Sequence, residues 1–250
     1  MRALVVIPTY NELGNLSPLV ESVIERNEDF DALIIDDGSP DGTGLLAEHL
    51  KEVYPGRIEV IHRQGKLGLA TAYLTGFRYG LMKGYDYLFE MDADFSHNPL
   101  YLPKFIETMA ERNADVVLGS RYVAGGGVTR WPWYRKIISR GGSLYAGVLL
   151  GIPVKDVTGG FKCFSRKVLE SINLGTVGSS GYGFQIEMTY RAIKAGFTVV
   201  EMPIVFEERR EGTSKMSPTI LIEALWMVPK LRVEASLRGV QETASDRMRS

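Results

Sequence analysis

The chain has 250 residues, of which 45% are hydrophobic, 24% are charged and 10% are aromatic. This composition is typical of a globular protein and excludes a disordered, collagen-like or coiled-coil chain. The formal net charge of −1 argues against a general nucleic-acid binder, because that function needs a large basic excess. The one cysteine, Cys163, cannot form an internal disulfide, so a reducing, cytoplasmic compartment is expected.

Neither a secretory signal nor a membrane span is expected from the sequence. The apolar run after Met1 stops at Pro8, which is too short for a signal peptide. The longest uncharged stretches, 141–154 and 171–186, contain several glycines and fall short of the roughly 20 apolar residues that a helical span needs. We therefore expect a soluble chain that lies at most on a membrane surface.

Short runs rich in Val, Ile and Leu alternate with helical patterns over the first 120 residues. The predicted strands are 3–7, 32–36, 58–61, 87–91 and 115–118. The predicted helices are 15–26, 43–53, 69–82 and 99–112. This alternation indicates an α/β fold, with a mainly parallel sheet between helices and a ligand site beyond the carboxyl ends of the strands.

The pattern changes beyond residue 120. We expect a mobile loop at 125–127, helices at 134–150 and 184–195, and a strand at 197–202. An amphipathic helix over 217–231 carries Trp226 and Met227, and we expect an interruption near Pro229. These elements predict one domain over residues 1–231, followed by a polar, frayed tail over 232–250.

Polar sequences follow all five predicted strands of the first half. They are Pro8–Glu12, Asp36–Asp41, Gly65–Gly68, Asp92–Asp94 and Gly119–Arg121. Because the carboxyl ends of parallel strands meet at one edge of a sheet, these five sequences are expected to form one site.

Asp92 and Asp94 stand two residues apart, just past a predicted buried strand. Both carboxylates can reach one hard cation, and Mg²⁺ or Mn²⁺ favours one or two protein carboxylates together with phosphate oxygens and water. An isolated pair of this kind in a random loop is more often a solvated turn. The position at a strand end favours the cation site here.

Two further sequences suggest a nucleotide. Asp36 and Asp37 are placed to accept hydrogen bonds from a nucleobase or ribose, while Ser39 or Asp41 is placed to cap the next helix. Lys66 is either a phosphate contact or a surface lysine. The sequence around Lys66 lacks the full glycine pattern of a dinucleotide site, and no phosphate-binding P-loop sequence occurs.

The interval between Asp115 and Asp156 contains no acidic residue. It carries six cations: Arg121, Arg130, Arg135, Lys136, Arg140 and Lys155. With Trp131, Trp133 and Tyr134 beside them, these cations suit a surface that binds anions or lipid headgroups, although a solvated helix face is the alternative. A second basic stretch, 209–215, has the glycine and small hydroxyl residues of a flexible loop that closes over phosphates, and an exposed charged loop is the alternative.

Five motifs together resemble family 2 glycosyltransferases, and among these the dolichol- or polyprenol-phosphate mannose synthases. The motifs are Ile7–Glu12, Asp36–Thr43, Met91–His97, Gly119–Tyr122 and Ser214–Lys215, and the resemblance runs from about residue 3 to residue 231. It implies a GT-A fold of the Rossmann-like kind, with C-terminal amphipathic helices. It also implies a GDP-mannose donor, a polyprenyl-phosphate acceptor, Mg²⁺ or Mn²⁺, and peripheral association with a membrane, for which a membrane-anchored partner subunit is one route.

The resemblance also implies roles for individual residues. Those assigned to the donor are Pro8, Tyr10, Glu12, Ile35, Asp37, Lys66, Asp92, Ala93, Asp94, Ser96, Arg121, Arg209 and Lys215. Those assigned to the acceptor phosphate are Arg121, Arg135 and Ser139. Asp92, Asp94, Arg121 and Lys215 are implied to be catalytic, and Asp92, Asp94 and Ser96 to bind the metal. Ser96 departs from the pattern, because some relatives have Gln there and a serine hydroxyl is a shorter ligand.

The implied reaction is a direct displacement that inverts the anomeric carbon. A phosphate monoester has a second pKa near ~6, so the acceptor is already largely dianionic and needs no strong general base. Two alternatives stay open at the level of sequence. One is transfer of another sugar, such as glucose from UDP-glucose, and the other is a non-catalytic subunit that binds a sugar nucleotide.

Overall fold

Strands and helices alternate along the first half of the chain, as the hydrophobic pattern predicts. The computed structural model describes residues 1–208 and 226–233. Its first strands are β1 (Ala3–Thr9), β2 (Phe30–Asp36), β3 (Ile58–His62), β4 (Tyr87–Glu90) and β5 (Val116–Ser120). The helices between them are α1 (Leu13–Ile24), α2 (Thr43–Val53), α3 (Leu69–Met82) and α4 (Leu102–Glu111), the last preceded by a 3-10 turn at Pro99–Tyr101.

The second half is less regular. Its strands are β6 (Gly127–Val128), β7 (Lys162–Ser165), β8 (Val199–Pro203) and β9 (Val205–Phe206). Its helices are α5 (Trp133–Leu150), α6 (Arg166–Ser171) and α7 (Gly181–Lys194), with a 3-10 turn at Leu174–Thr176. A further helix covers 226–233. Two of its side chains, Val228 and Leu231, lie in the core, and Arg232 donates a hydrogen bond to the carbonyl oxygen of Leu149.

Seven strands form the main sheet in the order β3-β2-β1-β4-β7-β5-β8. All neighbouring strands are parallel except β7, which is antiparallel to both β4 and β5. A separate pair, β6 and β9, forms a short parallel ribbon. The expected mainly parallel α/β sheet is therefore confirmed.

The sheet separates two apolar layers. Alternate residues of β1 enter opposite layers, Leu4 and Val6 on one face and Ala3, Val5 and Ile7 on the other. On the first face α3 lies unusually close to the sheet. A Cβ added at Gly76 would lie 2.4 Å from a methyl carbon of Val6, so a side chain there would push the helix away.

One strand was missed, and three sequence-based expectations are wrong. Strand β7 was not predicted, because its four residues follow glycines and carry the cation Lys162, which masks the apolar pattern. Gly127 lies in a strand instead of a loop, since its main chain pairs with β9. The interruption expected near Pro229 is not seen in the described residues, because 226–233 are helical on both sides of the proline. Several predicted element ends differ from the observed ends by one to three residues.

Within the described residues, no helix combines the length and the apolar character that crossing a membrane requires.

Candidate active site

The polar sequences at the strand ends meet at one edge of the sheet, as expected. In the register of β1 and β2, Thr9 stands opposite Asp36, so the sequences after these two strands are neighbours. Asp36 is structural: its carboxylate accepts hydrogen bonds from the Thr9 hydroxyl (3.1 Å) and from the Ser39 amide and hydroxyl (3.1 and 2.5 Å). This network fixes the turn and leaves Asp37 at the edge.

Asp37 forms an ion pair that the sequence analysis missed. The Arg63 Nε atom donates to an Asp37 carboxylate oxygen at 2.6 Å. The same guanidinium donates to the Thr71 hydroxyl (2.6 Å) and to the Gly68 carbonyl oxygen (3.1 Å). Arg63 therefore ties Asp37 to the 65–68 loop and to the start of α3. Its position directly after β3 was the available signal.

Tyr10 and Lys66 contact each other across this edge. The Lys66 ammonium lies 4.7 Å from the centre of the Tyr10 ring, a cation–π distance. Nearby, the Glu12 carboxylate accepts from the Asn15 amide (2.9 Å), and its main-chain N–H donates to the Thr43 hydroxyl (2.9 Å). The motif after β1 is thereby joined to the beginnings of α1 and α2.

Three other residues assigned to the donor lie deeper. Pro8 is half-buried at the end of β1. Ile35 is fully buried within β2 and Ala93 is 4% exposed, and both side chains belong to the core. At Ile35 and Ala93, only the main chain is therefore available for direct contact with a bound molecule.

Asp92 follows β4 and is held from two sides. The Tyr73 hydroxyl donates to its carboxylate at 3.1 Å. Burial and the nearby carboxylates of Asp92 and Glu90 raise the pKa of Tyr73 well above its ordinary value, so this hydroxyl remains a donor. The Asp92 N–H donates to Nδ1 of His97, whose ring stacks on Phe161 at 4.9 Å.

Asp94 is 4% exposed and closes a tight turn. Its carboxylate accepts the N–H of Ser96 at 3.0 Å, and Phe95 between them has a left-handed φ of 62°. The Ser96 hydroxyl is buried and has no hydrogen-bond partner among the described residues. A buried hydroxyl without a partner, in the same loop as two aspartates, is unusual, since buried polar groups are normally satisfied.

These oxygens fit a hard cation. Asp92, Asp94 and Ser96 offer only oxygen donors, the type that Mg²⁺ and Mn²⁺ prefer. In the part of the chain that the structure describes, no group of three or more His, Cys, Asp or Glu side chains is placed to hold a metal ion. Mg²⁺ often takes one or two protein carboxylates and completes its shell with substrate phosphates and water.

A pair of fully buried charges lies behind this loop. Glu90, the last residue of β4, stands opposite Lys162 of β7. Burial raises the pKa of Glu90 to about 7, although the Lys162 charge opposes this shift. Burial lowers the pKa of Lys162 to about 8, opposed by Glu90 and Asp156. The Lys162 ammonium donates to the Gln185 carbonyl oxygen at 2.7 Å, which joins β7 to α7.

Arg121 follows β5 and is paired with Asp156. Its Nε and Nη2 atoms donate to the two carboxylate oxygens at 2.7 and 2.6 Å, and its main-chain N–H donates to one of them at 2.9 Å. Burial lowers the pKa of Arg121, but the hydrogen bonds and charge of Asp156 outweigh it and raise the pKa overall. Asp156 is completely buried, so its carboxylate is not available at the surface of the site. Its role is to orient Arg121 through these three hydrogen bonds.

Arg135 lies at the start of α5, close to Arg121. Its guanidinium carbon is 4.1 Å from the centre of the Trp131 ring, and that of Arg121 is 5.4 Å from the same ring. Ser139, one turn further along α5, is half-buried beside Tyr122. The structure therefore brings together Arg121, Arg135 and Ser139, the three residues assigned to the acceptor phosphate.

A row of contacting aromatic rings, called the aromatic chain below, connects these cations with the loop of Asp92 and Asp94. The His97 ring lies 5.6 Å from Phe206, and Phe206 lies 5.3 Å from Trp131. The Arg121 guanidinium carbon lies 5.5 Å from the centre of Phe206. Because His97 is hydrogen-bonded to the Asp92 main chain, the acidic loop and the basic cluster are neighbours.

A cavity of about 720 Å³ begins at Tyr122 and runs along α5. Apolar residues such as Leu144, Val148 and Ile152 line it, and Arg140 and Lys155 add two cations. The two remaining site predictions, Arg209 and Lys215, lie outside the described residues.

Comparisons with known proteins identify the family of this chain. Residues 4–172 match the model of glycosyl transferase family 2. The chain is 47% identical over 242 residues to the polyprenol monophosphomannose synthase of Mycolicibacterium smegmatis, which covers 96% of this chain and 91% of that protein. It is 44% identical over 241 residues to the undecaprenyl-phosphate mannosyltransferase of Micrococcus luteus, covering 96% and 98%.

The chain therefore belongs to glycosyl transferase family 2 and is a glycosyltransferase. Solved structures with a similar fold include glucosyl-3-phosphoglycerate synthase from Mycobacterium tuberculosis with phosphoglyceric acid, at a TM-score of 0.68, 16% identity and coverage of 92% and 79%. The same enzyme with Mn²⁺, UDP-glucose and phosphoglyceric acid has a TM-score of 0.67, 17% identity and coverage of 91% and 79%. The expected GT-A fold is thereby confirmed.

Proposed function

We propose that this enzyme transfers mannose from GDP-mannose to a polyprenyl phosphate, giving polyprenyl-phosphate mannose and GDP. One observation carries the proposal: the Asp92–Asp94 loop and the Arg121–Arg135 cluster are neighbours joined by an aromatic chain. The first suits the diphosphate of a sugar nucleotide, and the second suits the phosphate of an acceptor. The names of the two relatives at 44–47% identity support the same donor sugar and acceptor class.

Asp92, Asp94 and the Ser96 hydroxyl are the residues that would hold Mg²⁺ or Mn²⁺. When bound, such an ion offsets the negative charge that builds up on the departing diphosphate. Asp37, oriented by Arg63, and Tyr10, beside Lys66, form the nucleoside side of the site. Arg209 and Lys215 are proposed to complete the contacts with the donor phosphates.

The nucleophile in this reaction is a phosphate oxygen of the acceptor. It forms a bond to the anomeric carbon as the bond from that carbon to the GDP oxygen breaks, which inverts the configuration. Because the phosphate is mostly dianionic at neutral pH, no protein base has to remove a proton. Asp156, the acid that contacts Arg121 in this cluster, fits this view, because its carboxylate is held in an ion pair with that arginine.

The acceptor's isoprenoid chain requires an apolar path. The cavity along α5 starts beside Tyr122, next to the phosphate-binding cations, and is proposed to receive the first isoprene units. The cavity opens on the face of α5 that exposes Ile137, Leu144 and Val148 at 62%, 67% and 73%, spaced so that they share one side of the helix. We propose that this face rests on the membrane, so that the enzyme is peripherally bound on the cytoplasmic side.

The test is transfer of label from GDP-mannose to a short polyprenyl phosphate, measured by solvent extraction of the product. We expect transfer that stops with a chelator and returns with Mn²⁺ or Mg²⁺, and GDP but not UDP should raise Tm in Mn²⁺. Asp92→Asn should lower kcat by about 100-fold or more. Glu107→Gln on the exposed side of α4 serves as the control. Equal transfer from UDP-glucose, or full activity of Asp92→Asn, would contradict the proposal.

A further inference from the structure

We infer that Trp131 is a positioning residue for the acceptor phosphate, because its indole ring holds the Arg121 and Arg135 guanidinium groups in place. The inference rests on the proposed function, since an acceptor phosphate is the ligand that these two cations would bind. Trp131 is 7% exposed and lies in the turn between β6 and α5.

Two arginine side chains lie over the Trp131 ring. The guanidinium carbon of Arg135 is 4.1 Å from the ring centre and that of Arg121 is 5.4 Å away, both within the range of a cation–π interaction. The two arginines differ in their other partners. Arg121 has the buried carboxylate of Asp156, whereas Arg135 forms no ion pair with any described residue. Among the described residues, the Trp131 ring is therefore the main contact of the Arg135 charge.

The local fold is built to turn this ring inwards. Thr129 donates from its N–H to the Phe206 carbonyl oxygen at 3.0 Å, which anchors the ribbon of β6 and β9. Arg130 then takes a left-handed φ of 56°, a conformation that non-glycine residues rarely adopt. This turn lets Trp131 pack edge-to-face on Phe206 at 5.3 Å before α5 begins.

Two buried donors at this place have no acceptor. The indole N–H of Trp131 and the Nε–H of Arg135 are both shielded from solvent and unpartnered among the described residues. Buried N–H groups normally donate a hydrogen bond, and a buried N–H without an acceptor costs free energy. The acceptor phosphate supplies the anionic oxygens that this group of donors lacks. Trp131 and the two arginines therefore form a group of donors that suits an anion, and their contacts are more than apolar packing.

Fluorination of the indole ring tests this inference. Each added fluorine withdraws electron density from the ring and weakens its attraction for a cation, while the shape of the side chain is nearly kept. Trp131 is replaced by mono-, di-, tri- and tetrafluorotryptophan through nonsense suppression. Binding of farnesyl phosphate and of GDP is then measured by calorimetry in Mn²⁺, together with Tm and the KM of each substrate.

We expect the Kd of farnesyl phosphate to rise step by step, reaching about five- to thirty-fold for the tetrafluoro ring. The Kd of GDP and the Tm should change little. In the Arg135→Met variant the nearer of the two cations is absent from the ring. There the Kd of farnesyl phosphate should change little from one fluorinated tryptophan to the next. Trp131→Phe should keep part of the affinity, and Trp131→Leu should lose more of it.

The outcomes separate this inference from the proposed function. A flat series in a protein that binds farnesyl phosphate and transfers mannose refutes the role of Trp131 alone. A graded series in a protein that binds the phosphate but transfers no mannose supports the role of Trp131 and refutes the proposed function. No binding of farnesyl phosphate by the unmodified protein refutes both.

Discussion

The buried pair of Arg121 and Asp156 offers the sharpest test of how the site is held together. The Arg121 side chain is 6% exposed and that of Asp156 is fully buried. Asp156→Asn keeps the shape of the side chain but removes its charge. It also replaces one acceptor oxygen with an NH₂ group, so that a donor faces one of the Arg121 donors now bound at 2.6–2.9 Å.

The expected cost follows from leaving a buried cation without its partner, which is about 3–5 kcal/mol in the free energy of unfolding. For a chain of this size each kcal/mol lowers Tm by roughly 2–4 °C, so a decrease of about 6–20 °C is expected. The measurement is unfolding in guanidinium chloride, followed by fluorescence. Arg121→Met combined with Asp156→Leu removes both charges and should come within about 1–2 kcal/mol of the unmodified protein.

The control is Glu170→Gln, which breaks the exposed i,i+4 pair of Arg166 and Glu170 on α6. Surface pairs of this kind contribute about 0.5 kcal/mol or less, so its unfolding curve should almost coincide with that of the unmodified protein. The reasoning is refuted if Asp156→Asn costs less than about 1 kcal/mol, or if the double variant is as unstable as the single one.

Three further predictions concern the donor side, the packing of α3 and the buried charge pair. Arg63→Met should raise the donor KM by about 10-fold or more and leave the acceptor KM unchanged, because the Asp37 carboxylate loses its charged partner. An unchanged donor KM would contradict this prediction. Gly76→Ala should cost about 1–3 kcal/mol in denaturant unfolding, because its Cβ would lie 2.4 Å from a methyl carbon of β1, whereas Gly141→Ala has open space and should be neutral or slightly stabilising. Stability should fall by about 3 kcal/mol as pH rises from about 4.5 to about 7, because the folded chain keeps a proton on Glu90 that the unfolded chain releases. Glu90→Gln should remove that slope, and parallel curves for the two proteins would show that another group is responsible.

Much of the fold could be predicted from local pattern. The bounds predicted for α2 and α3 agree with the structure, because apolar residues at helical spacing show which face is buried. The order of strands and helices was predictable from the alternation of apolar runs and helical patterns, and parallel strands bring their carboxyl ends to one edge. The position of Asp92 and Asp94 at that edge therefore followed from the order of elements alone.

Strand β7 shows where local pattern stops being informative. It is inserted between β4 and β5 and runs antiparallel to both, although it comes about 40 residues after β5 in the chain. Its buried Lys162 is tolerated because Glu90 stands opposite it and the Gln185 carbonyl oxygen accepts its hydrogen bond. Neither partner is adjacent in sequence, so the pattern of residues 162–165 alone does not reveal a buried strand.

The amino-acid order alone established the α/β class, the shared edge and the identity of the acidic loop and the basic interval. The ion pairs that hold those residues in place emerged only in three dimensions. Arg63 and Asp37 are 26 residues apart, and Arg121 and Asp156 are 35 apart. The physical reason is that helix and strand periodicity depends on neighbours within a few residues, whereas an ion pair between loops depends on which strands become adjacent.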